Sequence, residues 1–480
     1  MFLEQGANRG SISTGYDIDN SMLLDGQNTR GEITQTGGDR KTHTISFWHK
    51  RAPRGTWNSD SNGGPDETSN DMWGTSSEGD TLRFNTSYLA FFQEGGTGSS
   101  LQTNRKFRDF SAWYHFVIAV DTTQGTASNR IKMYVNGVQE TSFSAETYPD
   151  QNDEFKLMQN GQMFSIGAGH SSQTNYNAQG YYADFHIIDG AAKAASDFGE
   201  FDEDSGIWKP KKYTGAFNVG SGTNGAHYKF AGTAEGTGGS STGLDSSGNS
   251  NNMNFQNQDG GLVDTPTNNF NVMSLLVTYG YPTQLYEGST KITDNSSGFG
   301  GAASNFAMME GKWYWEFKAS SSAAFVGIQG TAAEVQTNNN AHEFPPTMGI
   351  YLGGPYNYAM DATSQRNDGS ISLTYSSSDI YGVALDLDNN TIYYLQNNTQ
   401  RGATFSLDGL ATGDGYAHAQ GGYMLRPWVA TSGTVEINFG GYTSFSISSA
   451  AADANDYGNF EYAPPSGYYA LCTKNIAEYG

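Results

Sequence analysis

Apolar residues occupy every second position of Ile131-Lys132-Met133-Tyr134-Val135, and the run stops at Asn136-Gly137 before Val138-Gln139-Glu140 continues outward. This is a β-strand with one buried face that meets a two-residue turn, because Asn-Gly accepts the positive φ angles of a type I′ hairpin. A chain punctuated in this way folds into short antiparallel strands. The same signal recurs at residues 44–48 (TISFW) and 181–188 (YYADFHII). Residues 113–120 (WYHFVIAV) are the most apolar run, expected at the centre of a sheet with both faces buried. Only residues 191–195 (AAKAA) offer a helical turn in this region.

Disorder is the rival explanation, since 61 of the 480 residues are glycine and the mean hydropathy is -0.57. An aromatic content of 13% argues against it, because disordered chains are depleted in aromatics. Abundant glycine and aromatics suit many short strands joined by tight turns. The expected class is all-β: two antiparallel β-sandwich, jelly-roll-like domains joined by a Gly/Ser/Asn-rich bridge. The expected boundaries are an attachment segment at 1–10, a first sandwich at 11–230, the bridge at 231–272 and a second sandwich at 273–480. Low apolar content in the bridge leaves nothing for a third core.

Lys and Arg total 26 against 49 acids, a net charge of -23 that repels a phosphate backbone, so nucleic acid is not an expected partner. No run approaches ~20 apolar residues, so membrane insertion is not expected either. Met1-Phe2-Leu3-Glu4-Gln5-Gly6 lacks the basic and apolar regions of a signal peptide, which implies synthesis in a cytoplasm. Cys472 is the single cysteine and is expected as a half-buried residue of a terminal strand, not a reactive thiol.

Several strings occur together in an order that matters. Trp113-Tyr114-His115, Asp121, Lys132 to Val138, Gly180 to Phe185 and Ser196-Asp197-Phe198-Gly199 resemble the signature strands of laminin-G-like and pentraxin-like jelly rolls, the concanavalin A-like lectin architecture. Gly311 to Phe317, residues 325–328, 381–395, 426–430 and 435–440 resemble a SPRY domain. That resemblance implies a bent antiparallel sandwich that binds protein or peptide through its loops. Gly15 to Ser21, Trp208 to Tyr213, Asp264 to Phe270 and Phe460 to Leu471 extend the likeness over nearly the whole chain. Taken together, it is similar to virion appendage proteins of tailed bacteriophages that infect marine bacteria. The resemblance implies a virion-surface location, other virion proteins and a host-surface glycan or protein as partners, and a homo-oligomer. A purely architectural head- or tail-decorating protein and a polysaccharide-degrading glycanase are the alternatives.

Catalysis is not expected. A retaining glycanase needs two carboxylates about 5–5.5 Å apart, and the nearest candidate, Glu200-Phe201-Asp202-Glu203-Asp204, reads as a solvated loop between Gly199 and Ser205-Gly206. His115 and His186 lie inside strands and read as core or surface histidines, with no His or Cys pair at zinc spacing. No cofactor is required by this reading. A structural calcium ion has one candidate position, Asp17-x-Asp19-Asn20, which offers hard oxygen ligands without the full spacing of a calcium loop. Asp386-x-Asp388-Asn389-Asn390 offers similar atoms but reads as a hairpin turn. For ligand binding, the insertion at 53–79 carries Trp57 and Trp73 among Asp, Ser, Asn and Gly, and Tyr176 stands between Asn175 and Asn177. Such rings stack on sugars while amides take the hydroxyls. The competing role for both tryptophans is to pin the loop onto the sandwich.

Overall fold

The computed structural model describes residues 15–25, 29–52, 70–76, 79–93, 98–169, 178–280, 283–294, 298–331, 347–354, 356–360, 365–371, 373–407 and 424–480. These form two units, one ending at Thr267 and one beginning at Asn268. Both are antiparallel β-sandwiches, as the residue pattern requires. Among the described residues no helix is long and apolar enough to cross a membrane.

In the first unit, one eight-stranded sheet runs Val138–Gln139, Ile131–Val135, Trp113–Asp121, Thr42–Arg51, Gln179–Asp189, Ser21–Asp25 and Asp259–Leu262, with Ala226–Tyr228 also paired to Gln179–Asp189. The facing eight-stranded sheet runs Phe143–Thr147, Ser99–Thr103, Tyr88–Gln93, Thr81–Asn85, Asn70–Thr75, Met163–Ile166, Arg30–Thr34 and Asn254–Gln256. Alternation sets the core between them: Phe47, Phe116 and Ile118 from the first sheet meet Trp73, Phe84, Phe91 and Phe164 from the second. Trp113–Asp121 lies inside its sheet with only Tyr114 and Asp121 half-buried. The expected hairpin closes with φ 47° at Asn136 and 79° at Gly137. A Cβ at Gly137 would lie 2.3 Å from the Trp208 ring, so both the turn and the packing call for glycine there.

One expectation is sharpened in this unit and another corrected. The segment expected as a bridge at 231–272, without a core of its own but able to pack as an arm over a neighbour, contributes strands up to residue 267. Asn254–Gln256 pairs with Arg30–Thr34, and Asp259–Leu262 with Ser21–Asp25, an edge strand for each sheet. Met253 and Phe255 of this segment enter the core, while Leu244 stays exposed. Trp73 is not a loop ligand. It lies in the strand Asn70–Thr75 at 1% exposure, with ring centroids 5.9 Å from Phe91 and 6.0 Å from Phe164. The structural role offered for this tryptophan is the one it has. Trp57 and Tyr176 lie outside the described residues.

In the second unit, one sheet runs Met273–Gly280, Gly300–Ser304, Leu425–Thr431, Ala324–Gly330, Thr347–Tyr351, Tyr356–Met360 and Gln365–Ser370. The other runs Thr283–Tyr286, Lys291–Asp294, Thr434–Asn438, Lys312–Ala319, Tyr381–Asp386, Thr391–Gln396 and Thr399–Ser406, and Tyr469–Ala470 adds a parallel pairing to Lys312–Ala319. Asp388 to Asn390 make the expected turn, with Asn390 at φ 54° and Asp386 accepting from the Asn389 backbone at 3.0 Å. Glu316 is fully buried and accepts hydrogen bonds from the Glu461 and Tyr462 backbone, Asn438 and Tyr314. Burial still pushes its pKa up, to about 6, against those donors. Cys472 departs from expectation. It is fully buried and precedes the short α-helix Thr473–Tyr479, and burial pushes its thiol up to about 12, which leaves it inert.

Candidate functional site

An open cleft lies on the outer face of the first unit's Trp113–Asp121 sheet. In Ile131–Val135, Ile131, Met133 and Val135 enter the core, so Lys132 and Tyr134 must face outward beside Ala119 and Asp121 of the next strand. Gln124, Asn129, Ala192, Lys193 and Ala194 complete the lining of a cleft of about 310 Å³. That volume suits a small ligand or one to two sugar residues. Asp121 is already occupied: its carboxylate accepts from Thr123 Oγ1 at 2.5 Å and Gln124 Nε2 at 2.6 Å. Burial works against its charge, but those hydrogen bonds prevail and hold its pKa below the usual range. The ammonium groups of Lys132 and Lys193 have no ion-pair partner among the described residues. Tyr134 is half-buried, and its hydroxyl pKa is raised by desolvation. An aromatic ring flanked by two uncommitted cations is a surface for polyols and anions.

Beside the groove, the same face is roofed by aromatic residues of the segment that follows Gln179–Asp189. Trp208 donates its indole N–H to His115 Nδ1 at 3.1 Å, which leaves His115 Nε2–H to donate to Ser46 Oγ at 2.9 Å. The His115 ring is stacked on Trp48 with centroids 4.9 Å apart. Burial lowers its pKa to about 3, so it is a neutral, satisfied histidine. The acidic run lies in a small hairpin here, with Gly199–Phe201 paired to Trp208–Pro210. Lys209 bridges Asp202 at 3.1 Å and Glu200 at 3.7 Å, so both carboxylates are tied to a cation.

A second cluster lies under that roof. His186 on Gln179–Asp189 is directly opposite His227 on Ala226–Tyr228, and their rings stack with centroids 4.2 Å apart. A bulge between Ala183 and His186 puts Asp184 at φ 49°. Its Oδ1 is 2.6 Å from His227 Nε2, 3.9 Å from His186 Nε2 and 3.0 Å from the Tyr16 hydroxyl. Burial opposes its charge, but the imidazoles and the phenol outweigh it and hold the carboxylate at about 2. Burial pushes His186 down to about 3. These three side chains are the one group of three or more metal-ligating residues close enough to share an ion among the described residues. Asp17 and Asp19, the calcium candidates, are exposed and outside that group. No spacing signal joins His186 to His227, because a strand pairing alone brings them together.

Residues 25–196 match the family model of the concanavalin A-like lectin/glucanases superfamily. No curated protein matches the chain. Among solved structures, mouse laminin alpha1 chain domains LG4-5 are 8% identical and cover 88% of this chain and 89% of their own, with a TM-score of 0.30. The heptameric SAP-like pentraxin from Limulus polyphemus is 14% identical over 37% of this chain and 80% of its own, with a TM-score of 0.28. The SPRY domain of human HERC1 is 15% identical over 34% of this chain and 96% of its own, with a TM-score of 0.27. The first sandwich is thus similar to concanavalin A-like lectin domains, a fold suited to binding glycan or protein.

Proposed function

We propose that this chain is a non-catalytic adhesion protein on the surface of a tailed bacteriophage virion, and that it grips a host-surface glycan in the groove of its first sandwich. The observation that carries the reading is the groove: Tyr134 with Lys132 and Lys193, on a lectin-like sandwich and ample for a sugar residue. Tyr134 supplies a face on which a sugar ring stacks. Each lysine adds a charge-assisted hydrogen bond, worth about 1.5–3 kcal/mol where well formed. The virion location rests on the likeness of the sequence to phage appendage proteins. Homo-oligomerisation and attachment to other virion proteins belong to the same reading.

The test is binding of purified chain to susceptible and resistant host cells and to their extracted polysaccharide. Binding is expected to susceptible cells alone, and K132A/K193A together with Y134A is expected to weaken it at least about 100-fold. Unchanged affinity in those variants would remove the groove from the reading. Retention on the particle without binding to either cell type points to the architectural role, and release of reducing sugar to a glycanase.

A further inference from the structure

We propose that Asp184, His186 and His227 bind one zinc ion that pins Ala226–Tyr228 and the aromatic roof to the outer face of the first sandwich. Strand geometry supplies the arrangement. Residues directly opposite on paired strands bring their side chains together on one face, so the register of His186 with His227 sets two imidazoles side by side. The bulge then turns Asp184 onto the same face, at the expense of a left-handed backbone that a non-glycine residue rarely adopts.

The donor atoms are near the spacing an ion demands. Tetrahedral zinc with bonds of about 2.0–2.1 Å sets its ligand atoms about 3.3 Å apart. The observed separations from Asp184 Oδ1 are 2.6 Å to His227 Nε2 and 3.9 Å to His186 Nε2, on either side of that value. All three donor atoms lie within 4.8 Å of one another, and the near-parallel imidazoles must tilt out of their stack for both in-plane lone pairs to meet one ion. Tyr16 donates its hydroxyl to the same carboxylate oxygen at 3.0 Å.

Charge favours a cation as well. Asp184 and His186 are 3% and 2% exposed, and no lysine or arginine is paired with the carboxylate among the described residues. A buried carboxylate facing two imidazoles is left short of positive charge, and a divalent ion supplies it. Two imidazole nitrogens and one carboxylate oxygen suit zinc rather than calcium or magnesium. The roof of Phe217, stacked on both rings at 6.0 and 5.8 Å, excludes solvent, as befits a structural site.

Full-length chain without a histidine tag, purified after growth in zinc and dialysed, is expected to retain about one zinc per chain by elemental analysis. After chelation, cobalt is expected to give the visible absorption of a tetrahedral site. Zinc near 100-fold above its Kd is expected to raise Tm of the chelated protein by about 5–10 °C. Asp184→Asn keeps the fold, because asparagine tolerates the left-handed region, and it should lose both the zinc and the cobalt spectrum, as should His227→Gln. Chain that retains no zinc and gives no tetrahedral cobalt spectrum overturns the proposal, leaving a hydrogen-bonded Asp–His pair. Zinc retained undiminished in both variants places the ion elsewhere and overturns it equally.

Discussion

Asp264→Ala is expected to destabilise the first sandwich by about 3–5 kcal/mol. Asp264 forms an ion pair with Lys50, and the two side chains are 1% and 0% exposed. The Lys50 ammonium also lies 4.6 Å from the Tyr181 ring centroid and 5.7 Å from that of Trp113. Trp113 Nε1 donates to the second Asp264 oxygen at 3.2 Å, and Ser21 Oγ donates to the Asp264 backbone carbonyl at 2.6 Å. One aspartate from the closing segment thus ties together three strands. Burial depresses the Lys50 pKa and Asp264 opposes that shift, so removing the carboxylate strands a cation in an aromatic cage. At about 2–4 °C per kcal/mol for a unit of this size, Tm should fall by about 6–20 °C. The paired control is Lys50→Met with Asp264→Leu, which removes both charges and should recover most of the loss. A single variant within about 1 kcal/mol of wild type would show that the pair is not buried as described.

Elements with local chemistry were legible in the sequence, and elements made by pairing were not. Residues 131–138 announce themselves, because alternation and Asn136-Gly137 are both short-range signals that the turn geometry obeys. Residues 254–262 carry Asn, Gln, Asp and Gly, the composition of a turn. They become strands because the open edges at Arg30–Thr34 and Ser21–Asp25 supply backbone partners, which side chains do not encode. Trp73 stands among polar residues and so resembles a loop aromatic, yet a bulge after Asp71 returns it to the core face. Composition of the neighbours misleads there, and only register decides.

The groove and the histidine cluster show the same division. The outward positions of Lys132 and Tyr134 follow from alternation alone. The groove wall at Ala192 to Ala194 depends on how the chain turns after Gln179–Asp189, which no local pattern fixes. His227 is 43 residues from Asp184 in sequence and meets it through a strand of three residues. A search by ligand spacing passes over such a pair, because the bulge and the cross-strand register set the geometry.

Asp80 is expected to withdraw stability from the first sandwich as pH rises between about 4 and 7, read as the difference between wild type and Asp80→Asn. The difference is the measure because buried neutral histidines such as His115 and His186 add the opposite slope to both proteins below about 6.5. Asp80 precedes Thr81–Asn85 and is fully buried. One carboxylate oxygen accepts the Leu157 backbone N–H at 2.6 Å, while the other is buried with no hydrogen-bond partner. Burial pushes its pKa from 3.8 up to about 7, against the Leu157 hydrogen bond and the charges of Lys156 and Arg40. The native chain therefore holds a proton that the unfolded chain has released between those two values. Within that window this carboxyl is more protonated in the folded state, so its titration favours unfolding as pH rises, while below it and above it this group adds no slope. Three pH units at 1.36 kcal/mol each make the full effect about 4 kcal/mol, of which about 3 falls between pH 5 and pH 8. Asparagine keeps the size and the Leu157 acceptor without ionising. Its stability relative to wild type should therefore rise by about 3 kcal/mol from pH 5 to pH 8 in urea titrations. A difference that stays constant across that range would mean that Asp80 keeps an ordinary carboxylate pKa and that water reaches it. Because Phe155, Leu157 and Met158 all lie in the core, ionising Asp80 should loosen the segment that closes this end of the sandwich. Hydrogen exchange at the Leu157 amide should accelerate above pH 7 beyond the intrinsic pH dependence in wild type and not in the variant.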